Sequence, residues 1–153
     1  MANKEINNLL NKIVATQGVF YIRLHQFHWY VKGSDFFTLH EEFEELYDTI
    51  TADMDEVADR MLIIGGEPYS TLSEFIEHSV IEENTADKDL SQEEMVESIV
   101  ADLRTIIELY NEGITLTDKE EDFPSNDILI ELRTEAEKMV WMFNAYLNKK
   151  ATE

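Results

Sequence analysis

The sequence predicts an all-α fold, a four-helix bundle whose second and third long helices are joined by one long crossover carrying a short helix. Three observations predict it. Apolar residues recur at three-and-four spacing along four long stretches. Glycine (5) and proline (2) are scarce among 153 residues, well below roughly 12% of average usage, so turns are few and the elements long. Two capping boxes, Thr71-Leu-Ser-Glu74 and Ser91-Gln-Glu-Glu94, mark helix starts on either side of a mixed connection.

The first long helix runs from Ile6 to Lys32, with apolar positions at Ile6, Leu9, Leu10, Ile13 and Val14 and onward to Val31. Gly33 and Ser34 stop it. The pattern resumes at Phe36 and continues through Leu39, Phe43, Leu46, Ile50 and Val57 to Met61, giving a second helix that Gly65-Gly66 and Pro68 end. Residues 67–90 are mixed, and Thr71 starts one short helix among them. Met95, Ile99, Leu103, Ile106, Tyr110 and Ile114 form the third long helix. The polar stretch TLTDKEEDFPSN reads as a loop before a fourth helix from Ile128 to Leu147, closed by Lys149 and Lys150 where cations suit the dipole. Helices of about 25 residues are each some 37 Å long. The short first and last links make two antiparallel hairpins, and the long middle connection can cross the bundle. All 153 residues read as a single domain.

The formal net charge is −21, from 33 Asp+Glu against 12 Lys+Arg, and the pI is near 4.3. This field repels phosphate backbones, and neither tail is polybasic, so DNA coating is disfavoured. Without cysteine any metal must be held by imidazole and carboxylate, and a disulfide framework is excluded. No apolar run approaches the roughly 18 residues of a membrane span and no apolar signal core opens the chain, so a cytoplasmic protein is expected.

Three of the four histidines, His25, His28 and His40, flank the first turn. His28 and His40 are equally far from Ser34, so a hairpin folded there sets them level and able to face each other. With His40 at zero on the second helix, Glu44, Asp48, Asp55 and Asp59 fall at about 40°, 80°, 60° and 100°, a stripe beside the apolar face. A solvated acidic face is the plain alternative. A di-iron site inside one bundle wants Glu-x-x-His pairs, and no histidine here has glutamate three residues before it. His40 and Asp55 are about 22 Å apart along one helix, so sharing an ion would require a second chain. Two copies of this helix crossing antiparallel near residues 48–50 would bring those ends together.

Residues 28–60, HWYVKGSDFFTLHEEFEELYDTITADMDEVADR, resemble the ferroxidase signature of the Dps family of mini-ferritins. The resemblance lies in the His28-Trp29 pair, the Gly33 turn, Leu39-His40-Glu41, and the close Asp55-x-x-Ala58-Asp59-Arg60, and it extends through IGGEPYSTLSEF to VWMFNAYL. It implies a ferritin-like bundle assembled as a cytoplasmic homo-oligomeric dodecamer, a hollow shell that oxidises Fe(II), preferably with hydrogen peroxide, and stores the ferric mineral. It implies iron ligands His28, His40 and Glu44 from one subunit and Asp55 and Asp59 from its two-fold partner. Two positions depart from the family pattern, which usually has Glu where Asp59 stands and often Asp where Glu44 stands. The shorter Asp59 arm predicts one tightly held iron and one held weakly or through water. The resemblance further gives Trp29 a catalytic role in intercepting oxidising equivalents, with plain packing as the alternative. It gives Asp118, Asp122 and Asp127 places along a negative entry pore, with solvated helix-end acids as the alternative. His25 reads as an accessory ligand or a surface residue, and His78 matches nothing in the motif. Glu41, Glu45 and Asp48 are candidates for mineral nucleation or ordinary surface. The run Met139 to Phe143 reads as bundle core. The competing functions are a DNA-coating protein and a metal-free acidic bundle that binds a protein partner.

Overall fold

The structure, a computed structural model, describes residues 3–153. Its five α-helices are α1 (Lys4–Tyr30), α2 (Phe36–Ile63), α3 (Leu72–His78), α4 (Gln92–Lys119) and α5 (Phe123–Tyr146), with one 3₁₀ turn at Thr85–Asp89 and no strand among the described residues. Hairpins α1/α2 and α4/α5 pair side by side, α1 joins them through α4, and α3 lies on α1. This is the bundle with one long crossover.

The ends of the helices follow from local chemistry. The Asn3 side chain caps α1 by accepting from the Ile6 amide at 3.1 Å. Both capping boxes form in full, Thr71 with Glu74 and Ser91 with Glu94. Gly33 adopts φ +131°, which a side chain would strain, and a Cβ there would also run into Gln92, whose Oε1 accepts from the Asp35 amide at 2.6 Å. Gly18 allows close approach of α3: a Cβ would lie 2.5 Å from a ring carbon of Phe75.

The last link is much shorter than the sequence suggests. Instead of a loop over TLTDKEEDFPSN, α4 runs on to Lys119 and α5 starts at Phe123. Thr117 turns its hydroxyl inward to donate to the Gly113 carbonyl at 2.7 Å, which hides its polarity within the helix. Asp122 then caps α5, with Pro124 in its first turn. The stretch Met139 to Phe143 is only partly core. Val140 and Phe143 are buried, while Trp141 and Met142 face outward, because five consecutive residues at 100° each cover the whole circumference of a helix.

The core is built from Phe20, Leu24, Phe27, Phe43, Ile99 and Leu103, each at most 2% exposed, with their neighbours. Burial of each such side chain is worth roughly 1.5–3 kcal/mol. The crossover is pinned to this core by Arg23. Its guanidinium, 5% exposed, donates to Asp102 at 2.7 Å, Asp87 at 3.0 Å, Ser98 Oγ at 2.7 Å and the Glu82 carbonyl at 2.8 Å.

One acid is buried against expectation. Asp53 on α2 is 9% exposed and near Glu56, Glu131 and Glu135, and burial followed by these like charges pushes its carboxyl from 3.8 up to about 7. The native state therefore binds a proton that the unfolded chain has released, and stability contributed by protonated Asp53 is lost as pH rises through that window. Asp53→Asn should stabilise the protein above neutral pH by roughly 2 kcal/mol, about half the unscreened ~1.4 kcal/mol per unit, because Glu56 and Glu131 reach solvent. Its advantage in urea midpoint should vanish in acid, and a pH-independent difference would refute this account.

Candidate metal centre

The turn between α1 and α2 brings His28 and His40 face to face. Their rings stack with centroids 3.7 Å apart at 13°. Each ring nitrogen Nδ1 meets the other residue's backbone carbonyl, His28 to His40 at 2.6 Å and His40 to His28 at 2.7 Å. A carbonyl can only accept, so both Nδ1 atoms carry hydrogen and, in the neutral rings, both Nε2 atoms present lone pairs. The His28 carbonyl lies in the last turn of α1, where helix carbonyls lack partners of their own, so His40 also closes that helix end. Phe36 stacks on the outer face of His40 at 5.0 Å.

Glu44 lies one turn beyond His40 on α2. Its Oε1 is 3.8 Å from His28 Nε2 and accepts from the Tyr47 hydroxyl at 3.2 Å. Burial, then the bond to Glu44, pushes the Tyr47 phenol above its usual range, so it stays protonated at neutral pH. His25, which donates from Nδ1 to the Tyr21 carbonyl at 2.7 Å, stacks on Tyr47 with centroids 3.8 Å apart. Trp29 is 66% exposed and meets the edge of His25 at 5.3 Å. Two stacked imidazoles, with the Glu44 carboxylate beside His28, thus gather at one end of the bundle.

Asp55 and Asp59 do not join them. They are exposed farther along the unbroken helix α2, and among the described residues no three His, Asp or Glu side chains approach closely enough to hold a metal within one chain. Asp55 borders a groove of about 370 Å³ that Asp48, Met54, Ala58, Tyr69 and Phe75 also line. Glu41, Glu45 and Asp48 are exposed. His78 stacks on Tyr69 at 4.4 Å, away from the histidine pair in sequence and in contact.

Of the three acids near the last turn, Asp118 and Asp127 are exposed. Asp122 is occupied internally, accepting from the Ser125 amide and hydroxyl and from Arg60 at 3.1 Å. Partial burial would raise its pKa, but Ser125 and Arg60 outweigh it and hold the carboxyl below its ordinary value.

Residues 7–151 match the family described as Ferritin, the ferritin-like domain. The chain is 43% identical to the DNA protection during starvation protein of Listeria innocua, over 97% of this chain and 96% of the relative. It is 42% identical to DNA protection during starvation protein 2 of Bacillus anthracis, over 96% and 99% of the two. Among solved structures, Dps from Listeria monocytogenes superposes with a TM-score of 0.94 at 43% identity, covering 97% of this chain and 96% of that one. Dps from Staphylococcus aureus gives 0.90 at 40% identity, covering 96% and 98%. With the histidine pair, the bundle and these likenesses together, the chain belongs to the Dps family of ferritin-like proteins.

Proposed function

We propose that this protein oxidises Fe(II), preferably with hydrogen peroxide, at sites shared between subunits of a dodecameric shell, and stores the ferric product inside. The observation that carries this is the reciprocal His28/His40 pair, whose Nδ1 atoms are both held by backbone carbonyls so that the Nε2 atoms are left as acceptors, with His28 Nε2 3.8 Å from Glu44. Imidazole and carboxylate without thiolate suit Fe(II), though the set also accepts zinc or cobalt. Solved relatives include Listeria innocua Dps soaked with zinc and with cobalt. Another is a variant with two histidines, 12 positions apart, replaced by glycine. His28 and His40 have that spacing.

A histidine pair with one carboxylate is an incomplete coordination sphere, and the remaining carboxylates are Asp55 and Asp59 of a second copy. The exposed apolar side chains support assembly: Leu72 and Ile76 on α3 are 71% and 63% exposed, and Ile63 at the end of α2 is 73% exposed. Inside the shell the acidic charge concentrates cations, and Asp118 and Asp127 extend that field toward an entry pore, with Asp122 fixing the turn that carries them. Trp29 lies within reach of oxidising equivalents through His25. The whole chain acts as one domain in the cytoplasm, and the −21 charge argues against DNA coating.

Native mass spectrometry should give about 215 kDa, twelve times 17.9 kDa. A monomer or dimer would instead favour the partner-binding module. Anaerobic Fe(II) followed by peroxide should then yield Fe(III) held in the shell. In a calorimetric Fe(II) titration, one ion per site should bind tightly and the second weakly. The Asp59 carboxylate stops roughly 1.5 Å short of a glutamate's reach, against a ligand tolerance of about 0.2 Å. Two equally tight ions would refute the asymmetry, and Asp59→Glu should restore the second.

A further inference from the structure

The histidine pair hangs on the α1/α2 turn, and the other hairpin holds that turn by its backbone and by its one carboxylate. Gln92, the first residue of α4 and 9% exposed, accepts from the Asp35 amide at 2.6 Å and fills the space that a side chain at Gly33 would need. Tyr146, the last residue of α5, donates its hydroxyl to Asp35 Oδ2 at 2.9 Å. Burial, then the bond to Asp35, pushes the Tyr146 phenol up to about 12, so it remains a donor throughout the neutral range. Asp35 is the N-cap of α2, where an aspartate ordinarily accepts from an amide of the first turn. It makes no such bond, and its φ of −106° and ψ of 20° lie outside the extended conformation of a capping residue. Tyr146 and the helix end thus compete for one carboxylate, and Tyr146 has it. The next residue, Phe36, stacks on His40 at 5.0 Å and 22°, and His40 stacks on His28.

We propose that Tyr146 is a positioning residue for the metal centre: by keeping the Asp35 carboxylate from capping α2, it fixes the backbone that leads through Phe36 to the imidazoles. This rests on the iron-site reading above and adds to it a residue that touches none of the proposed ligands. Released from Tyr146, Asp35 turns toward the extended conformation to reach the open amides at the start of α2. That movement rotates the peptide entering Phe36, whose ring backs His40, so the His40 ring and the bonds it shares with His28 shift with it. Coordination tolerates only about 0.2 Å of misplacement, so a small tilt of one ring is enough to weaken the hold on an ion. The helix meanwhile exchanges one hydrogen bond for another, and its stability changes little.

The test uses the full-length protein in its native assembly and Co(II) alone, followed by calorimetry and by the visible absorption of the bound ion. Tyr146→Phe should weaken Co(II) binding about tenfold, the lower end of what outer partners of metal ligands typically contribute, and should alter the visible spectrum. Native mass and urea midpoint should stay close to those of the unaltered protein. Asp35→Asn, whose side-chain carbonyl can still accept from Tyr146, should bind nearly as tightly as the unaltered protein. In an Asp35→Ala background, Tyr146→Phe should have no further effect on Co(II), because the link it acts through is already broken. Unchanged Co(II) affinity and spectrum in Tyr146→Phe would overturn the proposal, whether or not the urea midpoint falls, and so would the same tenfold loss in the Asp35→Ala background. Co(II) binding insensitive to His28→Ala with His40→Ala would overturn the iron-site reading and this role with it. If that double variant abolishes binding while Tyr146→Phe leaves it intact, the positioning role alone falls.

Discussion

Replacing His28 and His40 together by alanine should lower the rate of Fe(II) oxidation by peroxide at least about a hundredfold while leaving the native mass unchanged. Loss of groups that orient ligands typically costs 10–100-fold, and here the proposed ligands themselves are removed. The two rings also orient each other. With His40 gone, His28 Nδ1 still finds the residue-40 carbonyl, but the ring loses its stacking partner at 3.7 Å and the end of α1 loses a hydrogen bond. Each single variant should therefore lose most of what the double variant loses, a non-additivity expected of groups in contact. Stopped-flow oxidation at matched protein and iron would measure this, with native mass as the control for assembly. An unchanged rate in the double variant would move the chemistry elsewhere in the molecule.

The largest effect on stability should come from Arg23→Ala, at about 3–5 kcal/mol. The pair with Asp102 at 2.7 Å is largely shielded from water, and burial already pushes the Asp102 carboxyl upward against the lowering effect of Arg23. Without the guanidinium that carboxylate is stranded, and Asp87, Ser98 and the Glu82 carbonyl lose their donor as well. The penalty should be greater in mildly alkaline than in mildly acidic buffer, because the stranded acid can then protonate. Arg23→Met with Asp102→Leu, which removes both charges and keeps apolar volume, should recover much of the loss. Urea midpoints across pH would decide, and a cost below about 1 kcal/mol would show the network to be no stronger than an exposed pair.

Much of the architecture is legible because helical spacing and capping are local. The Thr71 and Ser91 boxes form as their four-residue patterns predict, and the equal distance of His28 and His40 from Ser34 leads directly to stacked rings. Two acids depend instead on partners remote in sequence. Asp53 looks like one more polar position on α2 until α5 sets Glu131 and Glu135 beside it. Asp122 looks like a free pore acid until Arg60 arrives from α2. Tyr47 falls in the apolar spacing of α2, yet its place three residues after Glu44 puts the hydroxyl within reach of that carboxylate. The α4/α5 link reads as a loop because its residues are polar, and only the hydroxyl of Thr117, bonded back to Gly113, shows why the helix continues.

The histidine pair has a bearing on how long a metal would stay. Metal-bound imidazoles are often backed by a carboxylate, which raises the basicity of the coordinating nitrogen and tightens the grip. Here both rings lean on neutral peptide carbonyls. The rings are oriented, but no carboxylate behind them deepens the grip, so an ion would be aimed without being trapped. Under the proposed function, in which iron leaves the place where it reacts and moves on to a mineral, residence time matters as much as affinity, and peptide oxygens behind the two histidines would keep it short.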